Sequence, residues 1–480
     1  MSGLGRMLND YQGRRWLLRK YDMQVDKNAA LTSSNAVEMI AAPPRPATAI
    51  SWTGRLEPRL TWLLAWGAKG SLALTDQALF AGAQFALNIL LARWLDPAGY
   101  GAFAVAYSVY LLASAVHSAL LVEPMMVFGS GRYLKKRRSY LGIVLRGHWL
   151  LTASMGLILF GVGLLVGRLN SRPVGHALCA LGFALPLTLL ADLTRRAFYV
   201  EMRPGRAAAG GVVYFCALLV FAWWLHAEQM LTPAVAILAM GAAALLTAGL
   251  QLIWLHTRWS HTSGKLSARQ IASEHWRYGR WVLAAAFPSW ILLNIYYLVL
   301  PGWFGLKAAG ALKAIMNLAM PAIHGLIAFS ILTIPLLVRH RDRGGPWLME
   351  QTVKRVTGVF VGGGAFYLAL LWLFRLQIIS VLYGGKYLEY SGLPVLLVGL
   401  LPLVTACSVA LGVALRALER PDRLFWANVA ASAFALSLGL WLAATWGVLG
   451  AVAGYLASYA AFAAALWFFY QRLRPAGSCE

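Results

Sequence analysis

Long apolar runs separated by short polar breaks repeat along the chain. A helix crossing the hydrocarbon core of a bilayer needs about 20 mostly apolar residues. That template fits twelve stretches, at about 71–94, 98–128, 141–166, 174–192, 209–227, 231–256, 281–300, 308–337, 356–374, 392–416, 424–446 and 448–470. The pattern predicts an all-α integral membrane protein of about 12 transmembrane helices. The breaks alternate in character. Those on the side of the N-terminus hold 35 of the 42 Lys and Arg residues, whereas the others are short, such as LDPAG (95–99), HAEQML (226–231) and WGVLG (446–450). Cations gather in cytoplasmic loops, so both termini of this multi-pass protein are expected in the cytoplasm.

The predicted organisation is a basic cytoplasmic N-terminal tail (1–70), a first six-helix bundle (71–256), a cytoplasmic linker (257–280), a second six-helix bundle (281–470) and a cytoplasmic tail (471–480). A weak internal echo supports two halves. LARWLDPAGYGAFAVAYS (91–108) and YLVLPGWFGLKAAGALKAIMN (297–317) each run from a helix through a Pro/Gly turn into a Gly/Ala-rich helix start. The first 60 residues carry no cleavable signal pattern and are expected to form a cytoplasmic arm.

Composition agrees: 60% of the 480 residues are hydrophobic and 12% charged, and the mean hydropathy is +0.63. The net charge of +24 is accounted for by loop cations that set topology, which argues against a nucleic-acid partner. Cys179, Cys216, Cys407 and Cys479 lack the paired spacing of a metal site or disulfide scaffold. No metal or other cofactor is expected. HExxH, GxSxG, P-loop and CxxC patterns are absent, which argues against an enzyme and against ATP-driven transport by this chain.

Polar residues inside apolar runs carry the candidate chemistry, because each is costly in hydrocarbon and tends to face a bundle interior. Asp76, Gln77, Gln84 and Asn88 fall within about 120° of arc on the first helix at ~100° per residue. Tyr107, Tyr110, Ser114, His117 and Ser118 fall within about 100° on the second. Lys313, Asn317 and His324 repeat the device on the eighth. Three striped helices from two halves predict a shared polar cavity. Lys313 either snorkels to the interface or pairs with an anionic substrate. Asn and Gln can also serve simply as interhelical hydrogen-bonding groups.

Glu123 stands beside Pro124 at the border with the basic loop of Arg132, Lys135, Lys136, Arg137 and Arg138. It is expected either to pair with a loop cation or to exchange a proton, as are Asp76 and His117 in the second role. His117 and His324, each alone, fit packing as well as relay. The basic loop, with Arg195 and Arg196, forms a rim that could collect anionic lipid heads, or else serves topology alone. Pro186, Pro288, Pro321, Pro335, Pro394 and Pro402 interrupt apolar segments, as in helices that bend.

TDQALFAGAQFALNILLARWLDPAGYGAFAVAYSVYLL (75–112), EPMMVFGSGRY (123–133) and RRAFYVEMRPGRAAAGGVVY (195–214) resemble the polysaccharide-lipid flippases, the O-antigen and exopolysaccharide exporter branch of the MATE-like superfamily. The resemblance is sharpest over the first part of the membrane domain. It implies two six-helix bundles that open alternately to each side and pass an undecaprenyl-pyrophosphate-linked oligosaccharide across the inner membrane, in some members by proton exchange. It also implies Lys313 as the cavity cation, Tyr107 and Tyr110 as sugar-stacking faces, and polysaccharide polymerase and export machinery as partners beside membrane lipids. The chain departs from the family in having few basic residues predicted in the cavity. Two other readings remain: a cation-coupled multidrug exporter of the same superfamily, which would need an acidic pocket, and a non-transporting polysaccharide assembly protein.

Overall fold

The computed structural model describes residues 57–169, 171–255, 266–418, 420 and 422–473. The expectations for the N-terminal tail up to residue 56, for 256–265 of the linker and for the last residues of the C-terminal tail lie outside them. The chain divides into two units, Met1–Leu64 and Ala65–Glu480; of the first only 57–64 are described, as helix. The second unit holds the membrane helices.

Among the described residues the structure is helical, with no strand. α1 is Glu57–Trp94, α2 Pro97–Ser130, α3 Arg137–Leu169, α4 Arg172–Val200, α5 Pro204–Ala227 and α6 Pro233–Leu255. Three longer runs each contain two helices. Ala268–Asn317 is broken at Gly305, whose φ of 75° and ψ of 171° no helix contains, giving α7 (268–304) and α8 (306–317). Asp422–Leu473 breaks at Gly447 (φ 59°) into α13 (422–446) and α14 (448–473). Glycine is suited to both breaks, since positive φ is sterically disfavoured with a Cβ.

Met320–Leu373 is helical throughout, yet His340 Nδ1 lies 2.7 Å from Thr352 Oγ1. Twelve residues of straight helix would rise about 18 Å, so the chain reverses between them. Its first arm, 320–340, is α9, and the second, Trp347–Leu373, is α10. α11 is Arg375–Tyr383 and α12 Leu393–Ala417. Counting α8 with α9 as one interrupted span and setting aside the nine-residue α11, the helices match the twelve stretches read from the sequence, and they make a multi-pass membrane protein.

Two boundaries move. α1 begins at Glu57 rather than near 71, and α7 begins at Ala268 rather than near 281. The α7 extension, ARQIASEHWRYGR (268–280), is polar, so apolar content could not locate it; the α1 extension, EPRLTWLLAWGAKG (57–70), mixes Leu and Trp with Glu57, Arg59 and Lys69. The Ser267 side chain accepts a hydrogen bond from Gln270 N and starts α7 there.

Small residues set the tightest helix contacts. A Cβ on Gly156 would lie 2.5 Å from the Gly182 carbonyl oxygen, joining α3 to α4. One on Gly101 would lie 1.9 Å from Leu306 O, and one on Gly310 would lie 2.2 Å from Pro97 O, so α2 and α8 meet backbone to backbone. Asp96 caps α2 by accepting from Ala98 N and Gly99 N, with Pro97 at the first helical position.

α2 is not a regular helix. A π turn at Ser118–Val122 precedes Glu123 and Pro124. Pro124 has no N–H, which leaves the carbonyl of Leu120, four residues before it, without its helical donor. His275 on α7 supplies one, with Nδ1 3.0 Å from Leu120 O. A Cβ on nearby Gly279 would fall 2.5 Å from Ala119 O, so α7 lies directly on the bulge. Trp290 Nε1 extends the seam by donating to Ser108 O at 2.9 Å. The interrupted segment of α2 is therefore where the first-half helices receive α7.

Candidate functional site

The polar stripes read from the sequence meet along the seam of α1, α2, α7 and α8. Tyr100, Phe103, Tyr107 and Tyr110 form an aromatic ladder on one face of α2, with successive ring centres 6.1, 5.6 and 5.5 Å apart. Gln84 on α1 accepts from the Tyr107 hydroxyl at 3.3 Å and donates to the Tyr214 hydroxyl at 3.0 Å. Asn88 Oδ1 accepts from the Tyr100 hydroxyl at 3.3 Å, and that same hydroxyl accepts from Asn317 Nδ2 at 2.9 Å. One tyrosine thus ties α1 and α2 to α8.

Lys313 stands one helical turn before Asn317. Its Nζ is 4.8 Å from the Tyr107 ring centre and 5.4 Å from that of Tyr297 on α7. Two aromatic faces hold the ammonium by cation–π attraction. Among the described residues no carboxylate lies within ion-pairing distance of it. It does not snorkel away from the seam. Such a site suits an anion, which would complete the charge that the tyrosines leave unbalanced.

His324 does not join Lys313 and Asn317. A break at Leu318–Ala319 separates α8 from α9 and ends the straight-helix register that grouped them; His324 is exposed on α9. The Tyr367 hydroxyl donates to Leu318 O at that break.

Asp76 also leaves its stripe, turning to α4. It is fully buried; its Oδ2 accepts from Arg195 Nη1 at 3.1 Å and from the Tyr199 hydroxyl at 2.5 Å. Arg195 Nη2 reaches Asp192 at 2.9 Å, and its guanidinium carbon sits 4.3 Å from the Phe80 ring centre. Arg195 is only 4% exposed, so it cannot serve in a lipid-collecting rim. Adjacent helical positions point about 100° apart, and only Arg196, half-buried and 3.6 Å from Asp192, remains near the surface. The Asp192/Arg195 spacing of three residues was the available sign of this ion pair.

His117 is buried against His148 of α3, with Nε2 2.9 Å from His148 Nδ1. His148 has no neighbour in sequence that would have marked it. Glu123 is exposed, and among the described residues no cation is within ion-pairing distance of it. The loop cations choose other acids: Arg132 binds Glu274 of α7 at 2.8 Å, and Arg137 binds Glu201 at 3.1 Å. The expected pairing of Glu123 with the basic loop is thus replaced by acids whose positions only the fold brings near. Lys135, Lys136 and Arg138 are exposed, as a rim requires.

Beside this loop, Phe128, Arg132, Glu274, Arg277, Trp281 and Asp422 line part of a cavity of about 890 Å³. The Tyr133 hydroxyl donates to Glu274 at 2.8 Å, and burial, followed by that bond, holds its phenol above the ordinary tyrosine range. Tyr133 stacks on Tyr140 at 4.5 Å, and the Tyr140 hydroxyl meets His275 Nε2 at 2.7 Å. His275 therefore carries its proton on Nδ1, toward Leu120 O, and accepts at Nε2. His275→Ala is expected to cost about 1–3 kcal/mol, because a buried carbonyl and hydroxyl lose partners. Unfolding in a detergent series checks this; an unchanged midpoint would contradict it.

No protein-family model and no curated protein sequence matches the chain. Solved structures do. A multidrug resistance MATE family transporter of the MOP superfamily in its inward-facing conformation superposes with a TM-score of 0.71 at 12% identity, covering 84% of this chain and 97% of that one. The lipid II flippase MurJ in an inward closed conformation gives 0.65 at 10% identity over 83% and 87%. An outward-facing MATE family transporter gives 0.56 at 11% identity over 84% and 94%. At these identities the likeness concerns fold: the chain has the MATE-like helical architecture.

Proposed function

We propose that this protein is a flippase of the MOP type that carries an undecaprenyl-pyrophosphate-linked oligosaccharide across the bacterial inner membrane for cell-surface or secreted polysaccharide synthesis. The observation that carries the reading is Lys313, an ammonium held by Tyr107 and Tyr297 without a carboxylate partner among the described residues. A pyrophosphate complements it, and the α2 ladder offers aromatic faces to sugars. Structural neighbours that include a lipid II flippase and MATE transporters support a carrier.

In this reading the head group enters from the basic, cytoplasmic face, where the cavity of about 890 Å³ lies. Lys135, Lys136 and Arg138 attract anionic lipid heads there. The lipid tail stays in the bilayer while charge and hydroxyls cross in a polar path, because leaving either unpaired in hydrocarbon costs several kcal/mol. Helices of 71–256 and 281–470 act as the two moving bundles. Polymerase and export machinery receive the product on the far side.

A multidrug exporter of the same fold is the second reading. It would need an acidic pocket for cations, and Asp76, the buried acid of α1, is instead matched by Arg195. That balance favours the anionic substrate and gives Asp76 a structural task in place of coupling.

Depletion of the protein tests the proposal. Lipid-linked oligosaccharide should accumulate where a lectin or glycosidase reaches it only after spheroplasts are opened. Normal appearance on the outer face would overturn the flippase reading.

A further inference from the structure

The face opposite the basic loops holds a second tie between the two sets of helices, and its chemistry differs from the aromatic seam. α1 ends at Trp94 and α11 ends at Tyr383. The last turn of a helix leaves carbonyls without intrahelical donors and carries partial negative charge, so a cation placed there both hydrogen-bonds and offsets the dipole. Here each helix receives that cation from the other. Lys386 Nζ donates to Arg93 O and to Leu95 O, both at 2.7 Å. Arg93 Nη1 donates to Val381 O at 2.7 Å.

The backbone is shaped for this exchange. Gly384, Gly385 and Tyr387 all have positive φ, of 64°, 83° and 67°. Tyr387 is not a glycine, and residues with a Cβ enter this region at a cost that surrounding structure must hold in place. These residues bracket Lys386 and turn it back toward α1. Beside the tie, Gly101 and Gly310 bring α2 and α8 into backbone contact, and the Tyr383 hydroxyl donates to Ala314 O of α8 at 2.7 Å. The first contact packs α2 against α8 at this face, and the second ties α11 to the helix carrying Lys313.

We propose that Arg93 and Lys386 form a reciprocal helix-capping latch that holds this face shut, and that its release is a step in opening toward that face. The inference rests on the carrier reading for its purpose, although not for its geometry. Neither cation has a carboxylate within ion-pairing distance among the described residues; Asp96 acts on Lys386 from farther away, and the hydrogen bonds of both cations go to carbonyls that are withdrawn when the helices part. Water can replace such partners once the face opens, which makes the latch reversible.

The test is the distance between spin labels at Glu228 and Glu389, exposed positions of the loops on this face, in the cysteine-free full chain reconstituted in nanodiscs. Lys386→Met and Arg93→Met should each raise the population at longer separation about tenfold, the scale expected for losing charge-assisted hydrogen bonds. Lys386→Arg should stay near the parent distribution. Arg375→Met should leave the distribution unchanged, because Arg375 bonds Trp372 O within its own segment. If neither methionine variant shifts the distribution while both remain folded by size exclusion, the latch is wrong. A shift in a protein that moves no lipid-linked substrate would uphold the latch and count against the flippase reading instead.

Discussion

Lys313→Ala should lower transport of the lipid-linked substrate about ten- to a hundredfold, the scale of one charge-assisted hydrogen bond to an anion in a poorly hydrated site. The ammonium is held by two tyrosine rings and has no acid beside it among the described residues, so little in the resting protein depends on its charge. Folding should therefore survive the substitution. Lys313→Met, which keeps the apolar stem, should fail as fully as alanine, whereas Lys313→Arg should retain part of the activity because it restores a cation. Transport per molecule, with the membrane level of each variant measured by immunoblot, checks this. Transport at the unsubstituted rate by all three variants would remove Lys313 from the path.

The opposite division between stability and activity is expected of Arg195. Arg195→Met leaves Asp76 fully buried with its cation removed and takes one partner from Asp192. Truncating one member of a buried ion pair costs about 3–5 kcal/mol, most of it from the charge left behind. The variant should be poorly retained in the membrane and should unfold at markedly lower temperature. Asp76→Asn combined with Arg195→Met should recover part of the loss, since the stranded charge is gone. Thermal unfolding of the two single variants and the double variant gives the coupling directly. Strict additivity would mean that the pair at 3.1 Å contributes nothing specific.

The reach of the sequence differs from element to element. Apolar length located the spans because every backbone polar group in lipid must be satisfied within a helix. It failed at the start of α7, where helix continues into polar sequence from the Ser267 cap rather than under hydrocarbon burial, and at the start of α1, where charged residues interrupt the apolar ones. The spacing of Gln84 with Asn88 and of Lys313 with Asn317 predicts one face of each helix, and with Tyr107 these side chains meet in the seam. His324 was grouped with them by assuming a straight helix, and the break at 318–319 separates it.

Other residues could be found only through tertiary neighbours. Tyr297 and Tyr100 lie among many aromatic residues in apolar runs, and their value comes from Lys313 and Asn317 on α8. His275 matters because a proline 151 positions earlier frees a carbonyl that its ring reaches. Glu123 attracted notice as an acid in an apolar run. Glu274, in a plainly polar stretch, is the acid that binds the loop arginine.

The most direct measurement of the central claim is flipping in proteoliposomes containing the purified full-length protein and a fluorescent undecaprenyl-pyrophosphate-linked sugar, followed by a membrane-impermeant quencher. The account predicts that the quenchable fraction rises from about half, the share in the outer leaflet of a symmetric bilayer, toward completion, and that Lys313→Met slows this approach about ten- to a hundredfold. A quenchable fraction that stays near half in vesicles shown to hold folded protein would contradict it.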